Sequence, residues 1–289
     1  MEKCYGMYAA AGITFRLFSD RPVTESTFEA KMDKFKVTEA GGEKVDVHHH
    51  FTMPERHFTT PPLYNTSPWT IYREGEAWHY VWTNKLTQTV EYYAVFTEEY
   101  HQVHIYHYNT DLWDRGSHVG LMMRTNDQVL FLPLLWQRGG FVLHSSAVVQ
   151  GDRAIVLVGH SGSGKSTATN HFGKDAVIIS EDRNIIIPEG DEFYVYGSWI
   201  HYNNDRITNI RKRVDALYFI KKATETRLEP LKPLTALHET LSHVARGFAN
   251  AEGWNATVDA VEKFIKKNLC FYLHFEKDGG IMNLLNCQK

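Results

Sequence analysis

The run Gly159-His160-Ser161-Gly162-Ser163-Gly164-Lys165-Ser166 has the G-x-x-x-x-G-K-[ST] spacing of a phosphate-binding P-loop. Glycines let the backbone fold tightly enough to turn successive N–H groups into one concavity for phosphate oxygens. A helix starting where the loop ends adds its partial positive charge. In this reading Gly159 to Thr167 cradle a nucleotide such as ATP. Lys165 reaches the β- and γ-phosphates, and the Ser166 hydroxyl is a ligand for Mg²⁺.

Downstream, the apolar Val177-Ile178-Ile179-Ser180 ends in the carboxylate pair Glu181-Asp182, followed by Arg183. Beside a phosphate site, one carboxylate can position Mg²⁺ and the other can accept the proton of an attacking hydroxyl. Asp182 is the favoured member, with Ser166, for the metal; which of the two is the base stays open. His144, in Leu143-His144-Ser145-Ser146-Ala147, can orient a carboxylate or shuttle a proton. Each feature also has a plain reading, as a charged turn after a strand and a core histidine bonded to backbone. Trp199, His201, Asn203, Asn204 and Arg206 follow a later strand and are candidates for acceptor binding or a phosphate clamp. Arg183 is a candidate contact to the transferring phosphate, with a surface ion pair as the alternative. Arg211-Lys212-Arg213 reads as a solvated basic turn.

These residues need elements to hold them. Ala154 to Val158 reads as a buried strand running into Gly159, and Thr167 to Phe172 as the start of a helix. Further strands are predicted at 141–149, 176–179, 184–187, 193–196, 215–220 and 270–275, and helices at 234–246 and 257–267. A helical segment at 126–138 is capped by Asn126 or Asp127, ended by Gly139-Gly140, and kinked or broken at Pro133. The first 115 residues read as β-rich. Strands are predicted at 12–18, 90–96 and 102–108, with a hairpin pairing Trp69–Arg73 and Trp78–Trp82 across Glu74-Gly75-Glu76-Ala77. His48-His49-His50 invites a metal reading. Consecutive strand residues point to opposite faces, so the three converge on one ion only through a turn.

The chain has 289 residues, 43% hydrophobic and 22% charged, with 31 Lys+Arg against 34 Asp+Glu for a net charge of −3. That balance argues against a dedicated nucleic-acid binder. No apolar run approaches a membrane span, and Met1-Glu2-Lys3-Cys4-Tyr5 lacks the apolar core of a secretory signal. Cys4, Cys270 and Cys287 are far apart and without metal-ligand spacing, which reads as reduced thiols in a cytoplasmic protein.

The segment 143–147, the loop 159–166 and Ser180-Glu181-Asp182-Arg183 together resemble HPr kinase/phosphorylase relatives, which share a nucleotide core with phosphoenolpyruvate carboxykinase. Tyr196-Gly197-Ser198-Trp199 resembles a turn of the smaller proteins of that group. The resemblance covers about residues 140–220 and does not reach the first 115. The predicted elements give a β-rich N-terminal domain at 1–115 in an α/β (α+β) chain, and the resemblance implies that 116–289 is an HPr-kinase/phosphoenolpyruvate-carboxykinase-like P-loop kinase domain. It also implies transfer of a phosphoryl group from ATP or a related donor to a hydroxyl, with Glu181 and Asp182 as the acidic pair, His144 beside them, and a closed homo-oligomer by analogy. The first of the pair is Glu181 where these relatives carry Asp, and the Glu-rich/Gly motif of true HPr kinases is absent, which argues against HPr as the acceptor. A serine-like small molecule and a peptide serine both remain open as acceptor. A nucleotide-sensing regulatory or assembly protein is the alternative function.

Overall fold

A computed structural model of the chain describes residues 3–116, 118, 120–122, 127–200, 206–247 and 251–276. It overturns the expected fold class. Seventeen strands and five α-helices are present among these residues, and the strands form two large mixed sheets. This is a β-rich fold with few helices, not an α/β P-loop core. Two compact units are formed, 1–130 with 247–251, and 131–246 with 252–289.

The first unit carries β1 (Cys4–Ala10), β2 (Ile13–Ser19), β3 (Lys36–Val37), β4 (Glu43–His50), β5 (Tyr64–Thr66), β6 (Trp69–Glu74), β7 (Ala77–Thr83), β8 (Val90–Thr97), β9 (Gln102–His107) and the short helix α1 (Asp111–Arg115). Its nine-stranded sheet has the order β3-β1-β2-β4-β9-β8-β7-β6-β5. Only β2–β4 and β4–β9 pair in parallel. The predicted hairpin is β6–β7, with Glu74 opposite Ala77 and Gly75 at φ 60°, a left-handed position that glycine takes without strain. The three consecutive histidines lie on β4. His49 pairs by ring contact with His107 and Trp113, while His48 and His50 stack with His104.

The second unit takes in most of α2 (Gln128–Gln137) and then β10 (Phe141–Gln150), β11 (Arg153–Val158), α3 (Lys165–Asn170), β12 (Ile178–Ser180), β13 (Arg183–Glu189), β14 (Glu192–Tyr196), β15 (Arg211–Lys222), β16 (Arg227–Pro230), α4 (Pro233–His243), α5 (Ala251–Lys267) and β17 (Leu269–Phe275). α2 continues through Pro133, where the sequence predicts a kink or break. Two hairpins explain why the sheet is mixed. Gly151 (φ 64°) turns β10 into β11, and Gly190 (φ 61°) turns β13 into β14. Two-residue turns of this kind force antiparallel neighbours, whereas a parallel α/β sheet needs a crossover between each pair. Only β11–β15 and β15–β17 are parallel. The pairings β11–β10–β13–β14–β15–β11 close on themselves.

β11 has both faces buried. Val156 and Val158 face a core with Phe141, Leu143, Phe219, Val261 and Phe264. Ile155 and Leu157 face the other way, against Ala168, Tyr218 and Leu273. Alternate residues of a strand point to opposite faces, so a continuous apolar run is what a strand covered on both sides needs. Arg211 to Arg213 belong to β15, not to a turn: Arg211 pairs with Glu189, and Arg213 with Glu192 and Asp215. Among the described residues no helix is long and apolar enough to cross a membrane.

Candidate functional site around the Gly159–Ser166 loop

The loop leaves β11 at the edge where β15, its parallel neighbour, also ends. Gly162 (φ 77°) and Gly164 (φ 107°) take left-handed conformations. A Cβ on Gly159 would sit 2.5 Å from the Ser163 hydroxyl, so a side chain there would displace Ser163. Gly162 has open space around it, and His160, Ser161 and Ser166 are exposed while Thr167 is half-buried. The helix that follows, α3, has six residues, so its macrodipole is small. The loop's N–H groups and Lys165 must carry most of any anion binding.

Lys165 is 7% exposed and folds back under the loop. Its Nζ donates to the carbonyls of Gly159 (2.5 Å) and His160 (3.0 Å) and lies 3.4 Å from His144 Nε2. Burial lowers its pKa; the nearby Asp182 opposes that shift and Arg183 adds to it. The same His144 Nε2 is 2.8 Å from Asp182 Oδ1. One nitrogen cannot both donate to the carboxylate and accept from the ammonium. The shorter, charge-assisted contact places the proton on Nε2, toward Asp182. The two loop carbonyls are therefore the working partners of Lys165.

Sheet register brings these distant segments together. β10 pairs with β13, setting His144 opposite Arg183. Ser145 N donates to the Asp182 carbonyl at 3.0 Å, and the Ser146 hydroxyl to the Glu181 carbonyl at 2.9 Å. Buried Asn184 clamps the same turn through its Nδ2, which donates to the Ser145 carbonyl (2.7 Å) and hydroxyl (3.0 Å). The carbonyls of the Glu181-Asp182 turn are thus held by one backbone N–H and one serine hydroxyl of the strand that carries His144.

The two carboxylates part company. Asp182 joins His144, and its Oδ2 is 3.5 Å from Arg183 Nε. Glu181 pairs with Arg206 Nη1 at 2.6 Å, and Arg206 also bonds the Asn170 side chain at 2.9 Å at the end of α3. Arg206 therefore ties Glu181 to the loop's helix, away from the His144–Lys165 cluster.

The acceptor candidates divide. Trp199 is 1% exposed and packs edge-on against Phe131 with ring centroids 5.1 Å apart, which makes it a core residue with no face for a substrate. It is delivered there by Gly197, where a Cβ would lie 1.9 Å from the Thr208 carbonyl. His201, Asn203 and Asn204 lie outside the described residues. Arg183 sits beside Asp182, within the cluster.

Sequence reasoning missed a second group at the loop. The His243 ring, from the last turn of α4, lies 4.3 Å from the exposed His160 ring. With Ser163, Lys221, Glu239 and Phe219 these two histidines line a cavity of about 100 Å³ beside the loop. Ser163 Oγ and His243 Nε2 are buried there without a hydrogen-bond partner among the described residues. The sequence holds no motif for this group, because its members come from a loop, a strand end and a helix end that only packing unites.

The residues present fit a nucleotide phosphate and Mg²⁺ in kind. The glycine-built loop has open space at Gly162, and Ser163 Oγ is a buried polar atom awaiting a partner. Mg²⁺ keeps several waters and needs only one or two protein oxygens beside substrate phosphates, which Ser166 and Asp182 can supply. Compared with protein-family models and with curated proteins, the sequence gives no match.

Proposed function

We propose that this protein is an Mg²⁺-dependent phosphotransferase that moves a phosphoryl group from a nucleoside triphosphate to a hydroxyl acceptor. The observation that carries the reading is the His144–Asp182 pair at 2.8 Å with the Lys165 ammonium 3.4 Å from the same imidazole nitrogen, all beside a glycine-built loop. That sets a base, its orienting group and a cation side by side.

In the proposed reaction the Gly159–Thr167 loop holds the donor phosphates. Lys165 exchanges its two loop carbonyls for phosphate oxygens, which bear more negative charge. Ser166 and Asp182 would hold Mg²⁺, which when bound neutralises charge on the phosphates. The acceptor O–H gives its proton to the Asp182 carboxylate as the acceptor oxygen bonds to the γ-phosphorus. The bond from that phosphorus to the bridging oxygen breaks, and a nucleoside diphosphate leaves. His144 fixes the orientation of Asp182. Glu181, clamped by Arg206, keeps the turn in place and takes no part in the chemistry. The acceptor is a serine-like small molecule or a peptide serine. A cytoplasmic setting suits this reading, since the donor is abundant there and the buried Cys270 thiol, pushed up to about 12 by burial, stays unreactive.

The test is incubation of the full chain with Mg²⁺ and γ-labelled ATP against pooled alcohols, amino acids and a peptide fraction, with the label followed by mass spectrometry. Label in a metabolite or on a peptide serine supports the reading and names the acceptor. Label in inorganic phosphate alone, or in no product, refutes it and favours a nucleotide-sensing role.

A further inference from the structure

β11 has two edges. β10 pairs along one, with Ser145 opposite Val158, and β15 along the other, with Phe219 opposite Val158. The His144–Asp182 pair belongs to the β10 side. The cavity beside the loop is walled by Phe219, Ile220 and Lys221 of β15, and no residue of β10 lines it. A triphosphate whose reacting end meets Asp182 and that crosses the loop brings its other end to the β15 side, where this cavity opens.

The cavity holds a volume of about 100 Å³. That is room for roughly three waters or one small ring, not for a whole nucleoside. Its polar groups are matched to hydroxyls. His243, 6% exposed, presents an unpartnered Nε2, and Ser163 presents an unpartnered hydroxyl. Buried polar atoms without partners cost stability, so a ligand that satisfies both gains what the empty site lacks. Glu239 adds a carboxylate. Burial alone would raise its pKa, but hydrogen bonds from Tyr272 (2.6 Å) and Lys221 (3.3 Å) outweigh that and hold it below the usual range. An ionised carboxylate that accepts from adjacent hydroxyls is the usual protein partner of a ribose.

Resting on the proposed phosphotransfer, we infer that this cavity takes the ribose of the donor, with Glu239 and His243 binding its hydroxyls, so that the donor is a nucleoside triphosphate rather than an inorganic polyphosphate. The base then lies outside the cavity and is read weakly.

Calorimetric titration of the full chain with Mg²⁺ complexes of ATP, 2′,3′-dideoxy-ATP and inorganic tripolyphosphate tests this. ATP is expected to bind at least ~10-fold more tightly than tripolyphosphate, with the dideoxy compound close to tripolyphosphate, the size of one or two hydrogen bonds to a charged group. Glu239→Gln, which keeps the shape of the side chain, should remove most of the advantage of ATP and leave tripolyphosphate affinity unchanged. His243→Ala should act in the same direction. Equal binding of ATP and tripolyphosphate by the unaltered protein, or an equal loss for both ligands in Glu239→Gln, overturns the ribose assignment and leaves the phosphate site standing. Binding of neither ligand overturns the phosphate site as well.

Discussion

Acidification should unfold the N-terminal unit well before its carboxylates titrate. His49, His107 and His118 are buried together there with Trp113, His107 and His118 each 2% exposed and His49 not exposed at all. Burial lowers all three, helped at His49 and His107 by the neighbouring imidazoles and opposed at His118 by its bond to the Met122 carbonyl: His107 to about 3, His118 to about 4, and His49 well below its ordinary value of 6.5. His49 Nδ1 and His107 Nε2 are 2.8 Å apart and share one proton, so a second proton would set two N–H groups against each other. These groups are neutral when folded and take up protons when unfolded below pH 6.5. Their contribution is therefore fully present above pH 6.5 and is lost as pH falls toward the folded values. At up to ~1.4 kcal/mol per pH unit for each group, His107 and His118 together remove about 3 kcal/mol between pH 6.5 and 5. That is a large part of the roughly 5–15 kcal/mol that holds a typical domain together. The carboxyls with lowered pKa, such as Glu74 at about 2, lose their contribution only below about pH 4.5, so this window reports histidine. Calorimetric unfolding in buffers of different ionisation heat counts the protons taken up. We expect at least two between pH 6 and 5, and one fewer in His118→Phe, which keeps the ring packing against Phe28 and Trp113. Stability that stays flat from pH 7 to 5, or uptake unchanged in His118→Phe, would show that these imidazoles are not buried and neutral.

At the loop, Lys165→Ala should abolish measurable transfer and weaken Mg²⁺-ATP binding at least ~10-fold, read by calorimetry, since one charge-assisted contact is worth about 1.5–3 kcal/mol. Asp182→Asn should lower kcat by ~10²–10⁴, with a smaller loss of Mg²⁺-ATP affinity from its share in holding the metal; unchanged kcat would remove Asp182 from the role of base. Glu181→Gln should instead lower the melting temperature with kcat nearly intact, because its carboxylate serves Arg206. Trp199→Ala should cost about 3–5 kcal/mol of stability by denaturant unfolding, as for a large aromatic in a packed core. A stable Trp199→Ala variant with a raised KM for the acceptor would return that residue to the substrate.

The local elements were legible because their signals are local. Alternating apolar residues and a Gly-containing turn define β6–β7, and the apolar run before Gly159 defines β11. β4 was missed, since its three histidines mask the alternation that buries Val45 and Val47. The fold class was misread for a related reason. A run such as 141–149 shows a strand but not its neighbour, and the hairpins at Gly151 and Gly190 decide antiparallel pairing that alternation along the chain does not reveal.

The sequence by itself determined the chemistry on offer: a glycine loop with its lysine, a carboxylate pair and a histidine, each in a segment whose spacing shapes it. Only the tertiary structure decided how these were dealt out. It gave Asp182 to His144 and Glu181 to Arg206, sent Trp199 into the core, and set His243 beside His160. Adjacent residues such as 181 and 182 carry the same charge but leave the backbone in different directions. Their partners are fixed by strand register and by helices that arrive from far along the chain, which no local pattern records.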